Sequence, residues 1–164
     1  MASASSCKGP WRGARQLRRL LLTERARDAI VSDARARYPR EACGVMGGVA
    51  AARDALLVVD ALRLGNVASR REAFWFDELE WIERVGELRR AGLLYVGVYH
   101  SHPGPSVAPS PSDLERMIEC PGEVWLIVAY EPGLPPRLGA WVVPGFGLAA
   151  HRLRVEVLPR TSFK

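Results

Sequence analysis

The stretch Val96-Gly97-Val98-Tyr99-His100-Ser101-His102-Pro103 decides how this chain is read. Residues 94–100 form an apolar run that predicts a strand. A strand sends alternate side chains to one face, so His100 and His102 point the same way, with Cα atoms roughly 6.6 Å apart. Two imidazoles can converge on one ion from that separation, and zinc takes nitrogen ligands at about 2.0–2.1 Å in a tetrahedral set. Pro103 has no N–H to give a ladder and ends the strand just past the second histidine. The pair therefore sits at a strand end. An H-x-H pair alone does not establish a metal site, so the flanking chain has to supply the rest.

A catalytic zinc needs a third protein ligand and an open position. Asp113 stands eleven residues after His102, and the proline-bearing loop over 101–110 can turn the chain back toward the strand end. A carboxylate beside two imidazoles makes a hydrolytic set, whereas structural zinc sites are usually rich in thiolates. Cys7, Cys43 and Cys120 are too scattered for the latter. Ser110-Pro111-Ser112-Asp113 also has another reading, as the N-cap, N1 and N3 positions of a capping box on a short helix over 111–119. Glu41, which follows the helix-ending Pro39, can equally be a solvated surface charge. His151 falls in the last strand region and reads as structural or exposed.

Taken together these segments resemble the JAMM (MPN+, Mov34/MPN/PAD-1) metalloproteases. H-S-H-P at 100–103, six further residues, then S-x-x-D at 110–113 match one half of the family signature. Glu41-Ala42-Cys43-Gly44-Val45-Met46-Gly47-Gly48 matches the upstream half, a glutamate before a small apolar strand. The segment from Asn66 to Phe76 is similar to the family's middle region, and the resemblance spans residues 18–157. It implies the MPN/JAMM, cytidine-deaminase-like architecture, with one Zn2+ per chain held by His100, His102 and Asp113. It implies Glu41 as general acid/base and Ser110 as the stabiliser of the oxyanion. No covalent intermediate is needed in such a mechanism, so no cysteine is required, and Cys43 reads as an apolar filler. A zincin is excluded because H-E-x-x-H is missing. The H-x-E with P-C-x-x-C of nucleobase deaminases is missing too.

The rest of the chain supplies the frame. Residues 18–22 predict a short strand. Thr23 is an N-cap for a helix reaching about Tyr38. Residues 43–48 read as a short buried strand with a glycine exit, and 55–64 as a central strand. The clearest helix runs over 77–91, with Leu79, Ile82, Val85 and Leu88 recurring every three residues and Gly92 closing it. Residues 124–130, 138–143 and 148–157 predict further strands. Interspersed strands and helices make this an α/β (mixed α+β) single domain, a central mixed sheet flanked by helices.

Composition excludes several classes. The chain has 164 residues, 48% apolar and 25% charged, an ordinary globular balance. Its net charge of +5 lies in residues 1–22, where Lys8, Arg12, Arg15, Arg18 and Arg19 meet no acid. Without them the basic and acidic residues balance, which argues against nucleic acid as a partner. Residues 1–17 are expected to be a basic, disordered arm and 18–160 the catalytic domain. Three widely spaced cysteines predict no disulfide framework and a cytoplasmic setting. No apolar run approaches a membrane span.

The resemblance also implies a substrate class. Such proteases cut peptide or isopeptide bonds at the C-terminus of ubiquitin-like folds ending in Gly-Gly. Only ten residues separate His102 from Asp113. That is similar to the minimal prokaryotic type, which processes sulfur carriers of the ThiS/MoaD kind. Two alternatives remain at this level: a non-catalytic MPN scaffold or interaction module, and a RadC-like role in DNA metabolism. The oligomeric state is not encoded in any feature of the sequence.

Overall fold

A computed structural model describes residues 14–68 and 73–160. Residues 1–13 of the expected arm, and 69–72 of the segment before the long helix, lie outside the described residues. The end of that arm belongs to the body. Ala14–Gln16 form a single 3-10 turn, and Leu17 is fully buried in the core.

Strand β1 (Arg19–Thr23) leads into helix α1 (Glu24–Arg37). The Thr23 hydroxyl oxygen accepts the Ala26 N–H at 3.1 Å and caps the helix. Strands β2 (Cys43–Ala52) and β3 (Ala55–Leu64) form an antiparallel hairpin. β2 is thus longer than the six residues expected. It passes through Gly47 and Gly48 by register shifts against both of its neighbours rather than stopping there. Close approach demands glycine at 48, where a Cβ would lie 2.0 Å from the Leu57 carbonyl oxygen.

Helix α2 (Glu78–Arg90) is capped by Asp77 and followed by Gly92 at φ +80°. Only half of the stripe expected on it is buried: Val85 and Leu88 are in the core, but Leu79 is 76% and Ile82 56% exposed. The reason is geometric. Steps of three residues fall about 60° short of a full turn, so four such positions spread over half the helix. The buried line runs instead through Trp81, Val85 and Leu88, at i, i+4 and i+7.

Strand β4 (Leu94–Pro103) follows, then α3 (Pro111–Glu119), β5 (Val124–Tyr130), β6 (Arg137–Val142) and β7 (His151–Leu158). β4 runs three residues into the expected loop because Ser101, His102 and Pro103 pair with Val128, Ala129 and Tyr130 of β5. The sheet is mixed, in the order β1-β3-β2-β4-β5-β6-β7, and parallel pairing of β1 with β7 closes it into a barrel. Helix α1 packs with Leu20, Met46, Val96 and Tyr99 in one core cluster. Val85 and Leu88 of α2 and Met117 of α3 pack with Val45, Val98 and Trp125 in the other.

One irregularity in β4 positions the site. Met46 pairs with Gly97 and Gly47 with Tyr95, so Val96 is the extra residue of a β-bulge. Tyr95 and Val98 consequently pack in one cluster, Val96 and Tyr99 in the other. A slip of one residue reverses the faces of all that follows. The bulge thereby puts His100 on the α2–α3 side, where Phe74 and Trp125 surround it.

Among the cysteines, Cys43 is free and buried, as expected for a filler. Cys120 is disulfide-bonded, a single bond where the sequence predicts no disulfide framework. His151 is structural, its Nε2 lying 3.2 Å from the Leu17 carbonyl oxygen. No described helix is long and apolar enough to cross a membrane.

Candidate metal centre

The C-terminal end of β4, the residues entering β2 and the N-terminus of α3 meet at one place. β4 supplies His100, wholly buried, and His102, half-buried. Their Nε2 atoms are 3.0 Å apart. α3 supplies Asp113, whose Oδ2 lies 3.2 Å from each of those nitrogens. The capping box forms as well. Ser110 Oγ accepts the Asp113 N–H at 3.1 Å, and the Ser110 N–H donates to Asp113 Oδ2 at 2.8 Å. The two readings of Ser110–Asp113 are therefore compatible: the cap fixes the carboxylate that faces the histidines.

The donor set fits a zinc ion. Ligands at about 2.0–2.1 Å in a tetrahedral array stand roughly 3.3–3.4 Å from one another, close to the separations observed. His102 Nδ1 faces the Ser106 carbonyl oxygen at 3.1 Å. A carbonyl only accepts, so Nδ1 carries the proton and the neutral ring turns a lone pair on Nε2 inward. Lone pairs gathered with a carboxylate oxygen at such distances repel unless a cation or protons lie among them. Rigidity comes from aromatic packing. Phe74 stacks on His100 at 4.3 Å between centroids, and Trp125 meets the same ring edge-on at 5.7 Å.

The electrostatics follow from burial and from Asp113. Burial pushes the His100 imidazole below its ordinary value, against the pull of Asp113. Burial also opposes protonation of His102, but the hydrogen bond and charge of Asp113, with the charge of Glu41, raise it overall. Asp113 is held well below the usual carboxylate range. Its burial acts the other way and is outweighed by the two imidazoles beside it and by the hydrogen bond from the Ser110 N–H.

Glu41 is 4% exposed, so it is no solvated surface charge. It precedes β2, and Cys43 of β2 pairs directly with His100. Its charge bears on both His102 and Arg116. Arg116 of α3 lies over the Trp75 ring at 4.0 Å and donates to the Phe74 carbonyl oxygen. All five residues singled out in the sequence thus stand at the meeting point of β4, β2 and α3.

A model of prokaryotic homologs of the JAB domain matches residues 23–142. The chain belongs to this family. The resemblance carried by H-S-H-P and S-x-x-D holds at that level, and so does the expected mixed single-domain fold. Desampylase from Haloferax volcanii is 40% identical over 114 residues, covering 66% of this chain and 79% of that protein. A protein of known structure from Desulfitobacterium hafniense superimposes with a TM-score of 0.74 at 26% identity, covering 87% of this chain and 95% of its own. A JAB1/MPN domain protein from Archaeoglobus fulgidus gives a TM-score of 0.54 at 20% identity, over 85% and 98% of the two chains. At that identity it speaks for the fold alone.

Three residues of this JAB-family site escaped the sequence reading. Ser101 sits between the histidines, but nothing in the motif says that its hydroxyl accepts the Ala42 N–H. Phe74 and Asn66 lie in an irregular segment with no periodicity to read. The only signal available for Asn66 was its residue type, since a half-buried loop amide takes hydrogen-bond partners from the chain around it.

Proposed function

We propose that this chain is a zinc-dependent isopeptidase that releases groups joined to the Gly-Gly C-terminus of a ubiquitin-like carrier, with ThiS/MoaD-type sulfur carriers as its substrate class. One observation carries the reading. Three ligand atoms converge to within 3.0–3.2 Å beside a buried carboxylate, in a JAB-family chain 40% identical to desampylase. His100, His102 and Asp113 would hold one zinc ion. When bound, it supplies a Lewis acid that acidifies water and polarises a carbonyl.

The chain's own residues do the rest. Glu41 takes a proton from the attacking water and hands it to the leaving amine, so that nitrogen departs neutral. Its near-complete burial keeps bulk water from competing for that proton. The Ser110 oxygen already accepts the Asp113 N–H. Its hydroxyl proton therefore points outward, toward Ser112 Oγ at 3.2 Å or toward an oxygen gaining charge in the transition state. The Cys43 thiol takes no part, since burial pushes it up to about 12, well above the range where a thiolate forms.

The test is direct. Purified protein is incubated with a sulfur carrier extended beyond Gly-Gly, and separately with a ubiquitin-like modifier joined to a lysine. Products are weighed by mass spectrometry. Cleavage after Gly-Gly, lost on chelation and restored by zinc, is expected, with the sulfur carrier the better substrate. Equal cleavage before and after chelation rejects the mechanism, and cleavage of the modifier alone rejects the substrate class.

A further inference from the structure

Glu41 lies two residues outside β2, so no ladder holds it. The peptide group that follows it is nevertheless gripped at both polar atoms, in each case by a side chain. Asn66 Nδ2 donates to the Glu41 carbonyl oxygen at 2.9 Å. The Ala42 N–H donates to Ser101 Oγ at 2.8 Å, in a buried setting.

Both side chains are themselves fixed. The second Asn66 amide proton goes to the Ala73 carbonyl oxygen at 3.0 Å, and its Oδ1 accepts the N–H groups of Ala68 and Trp75 at 2.9 and 3.2 Å. The Ser101 N–H donates to the Ala42 carbonyl oxygen at 3.0 Å. In an antiparallel hydrogen-bonded pair the reciprocal bond would reach the Ser101 main-chain oxygen. Here the hydroxyl takes it instead.

We propose that Asn66 and Ser101 are positioning residues for Glu41, fixing the plane of the Glu41–Ala42 peptide and with it the direction of the carboxylate. This rests on Glu41 being the proton carrier proposed above. The leverage is large. A tilt of roughly 15° at the peptide moves a carboxylate nearly 4 Å out from its Cα by about 1 Å. A misplacement of that size can cost on the order of a hundredfold in rate. Neither residue is a proposed metal ligand or proton carrier, and Asn66 belongs to a different loop from every proposed ligand.

Asn66→Asp keeps an acceptor for Ala68 and Trp75 and deletes the donors to Glu41 and Ala73. Ser101→Ala deletes the acceptor, and Ser101→Thr restores a hydroxyl. With the carrier adduct as substrate, N66D and S101A should keep full zinc content and lower kcat about tenfold or more, with KM within about threefold. S101T should recover to within about threefold of wild type. The deciding measurement repeats N66D and S101A in an E41Q background, where each should slow the residual rate less than twofold because its target has gone. Equal losses in both backgrounds overturn the proposal. So do wild-type rates in N66D and S101A, or S101A that fails by shedding zinc while N66D is normal. An E41Q protein as fast as wild type overturns the proposed role of Glu41 and this inference with it, whereas equal losses in both backgrounds overturn this inference alone.

Discussion

Glu123 offers a test of the fold that does not depend on the reaction. Its Oε1 accepts a hydrogen bond from the buried Tyr95 hydroxyl, which in turn accepts the Trp81 Nε1–H at 3.3 Å. Burial pushes the Glu123 carboxyl from 4.5 up to about 7, against the opposing pull of the Tyr95 hydrogen bond. A raised folded value means that the native state binds more protons than the unfolded one, so stability falls as pH rises. The contribution is complete below about pH 4.5 and is lost as pH climbs through 7. Between pH 5.5 and 8.5 the two values imply a loss of about 2 kcal/mol. With a urea dependence of about 2 kcal/mol per molar, that is a shift of about 1 M in midpoint. Glu123→Gln keeps an oxygen for Tyr95 and cannot ionise. Urea unfolding of both proteins at the two pH values should show the variant gaining about 1 M on the wild type at pH 8.5 relative to pH 5.5. A difference that stays constant across pH would mean that the carboxyl titrates as a free one, and would refute the reasoning.

Other outcomes follow from the site and the bulge. Purified protein should hold about one zinc per chain by elemental analysis, and His100→Ala should lose most of it; wild type that stays empty after zinc is supplied rejects the ligand set. Glu41→Gln should keep its zinc and its fold while kcat drops roughly a hundredfold or more with little change in KM; loss of zinc instead would make Glu41 a ligand. Because Cys43 is buried and its thiol stays protonated, iodoacetamide should leave the cleavage rate unchanged, and a rate that falls with alkylation would point to thiol chemistry. Gly97→Ala would place a Cβ 1.9 Å from the Val124 carbonyl oxygen, so the bulge cannot form as it is; thermal unfolding should show a melting temperature lower by about 10 °C or insoluble protein, and an unchanged Tm would contradict the register.

What the sequence made legible is what depends on short-range rules. The caps at Thr23 and Ser110, the helix over 111–119 and the alternation that joins His100 to His102 are all local, and all are present. The face of α2 was misjudged because spacing by three looks periodic without being a single line on a helix. The bulge at Val96–Gly97 left a glycine as its only trace, and whether a glycine marks a bulge depends on the partner strand. The burial of Glu41 could not be read either. The peptide that follows Glu41 is held by Asn66 and Ser101, 25 residues further along the chain from Glu41 and 59 from Ala42, in a meeting of elements that no local pattern encodes. Closure of the sheet is of the same kind, since β1 and β7 share no feature that predicts their contact.

That closure has a consequence for how the molecule is made. The seam joins the first strand of the sheet to its last, from Arg19 opposite Arg154 to Thr23 opposite Leu158. A nascent chain emerging from the ribosome can build the hairpin of β2 and β3 early, but it must wait for residues 151–158 to seal the barrel. Until then β1 and the newest strand present open edges, which are templates for pairing with a neighbouring chain. Translation that stalls before residue 151 should therefore yield a product that is not merely inactive but adhesive. The last eight residues of the sheet act as the clasp that turns a sticky ribbon into a particle with no free rim.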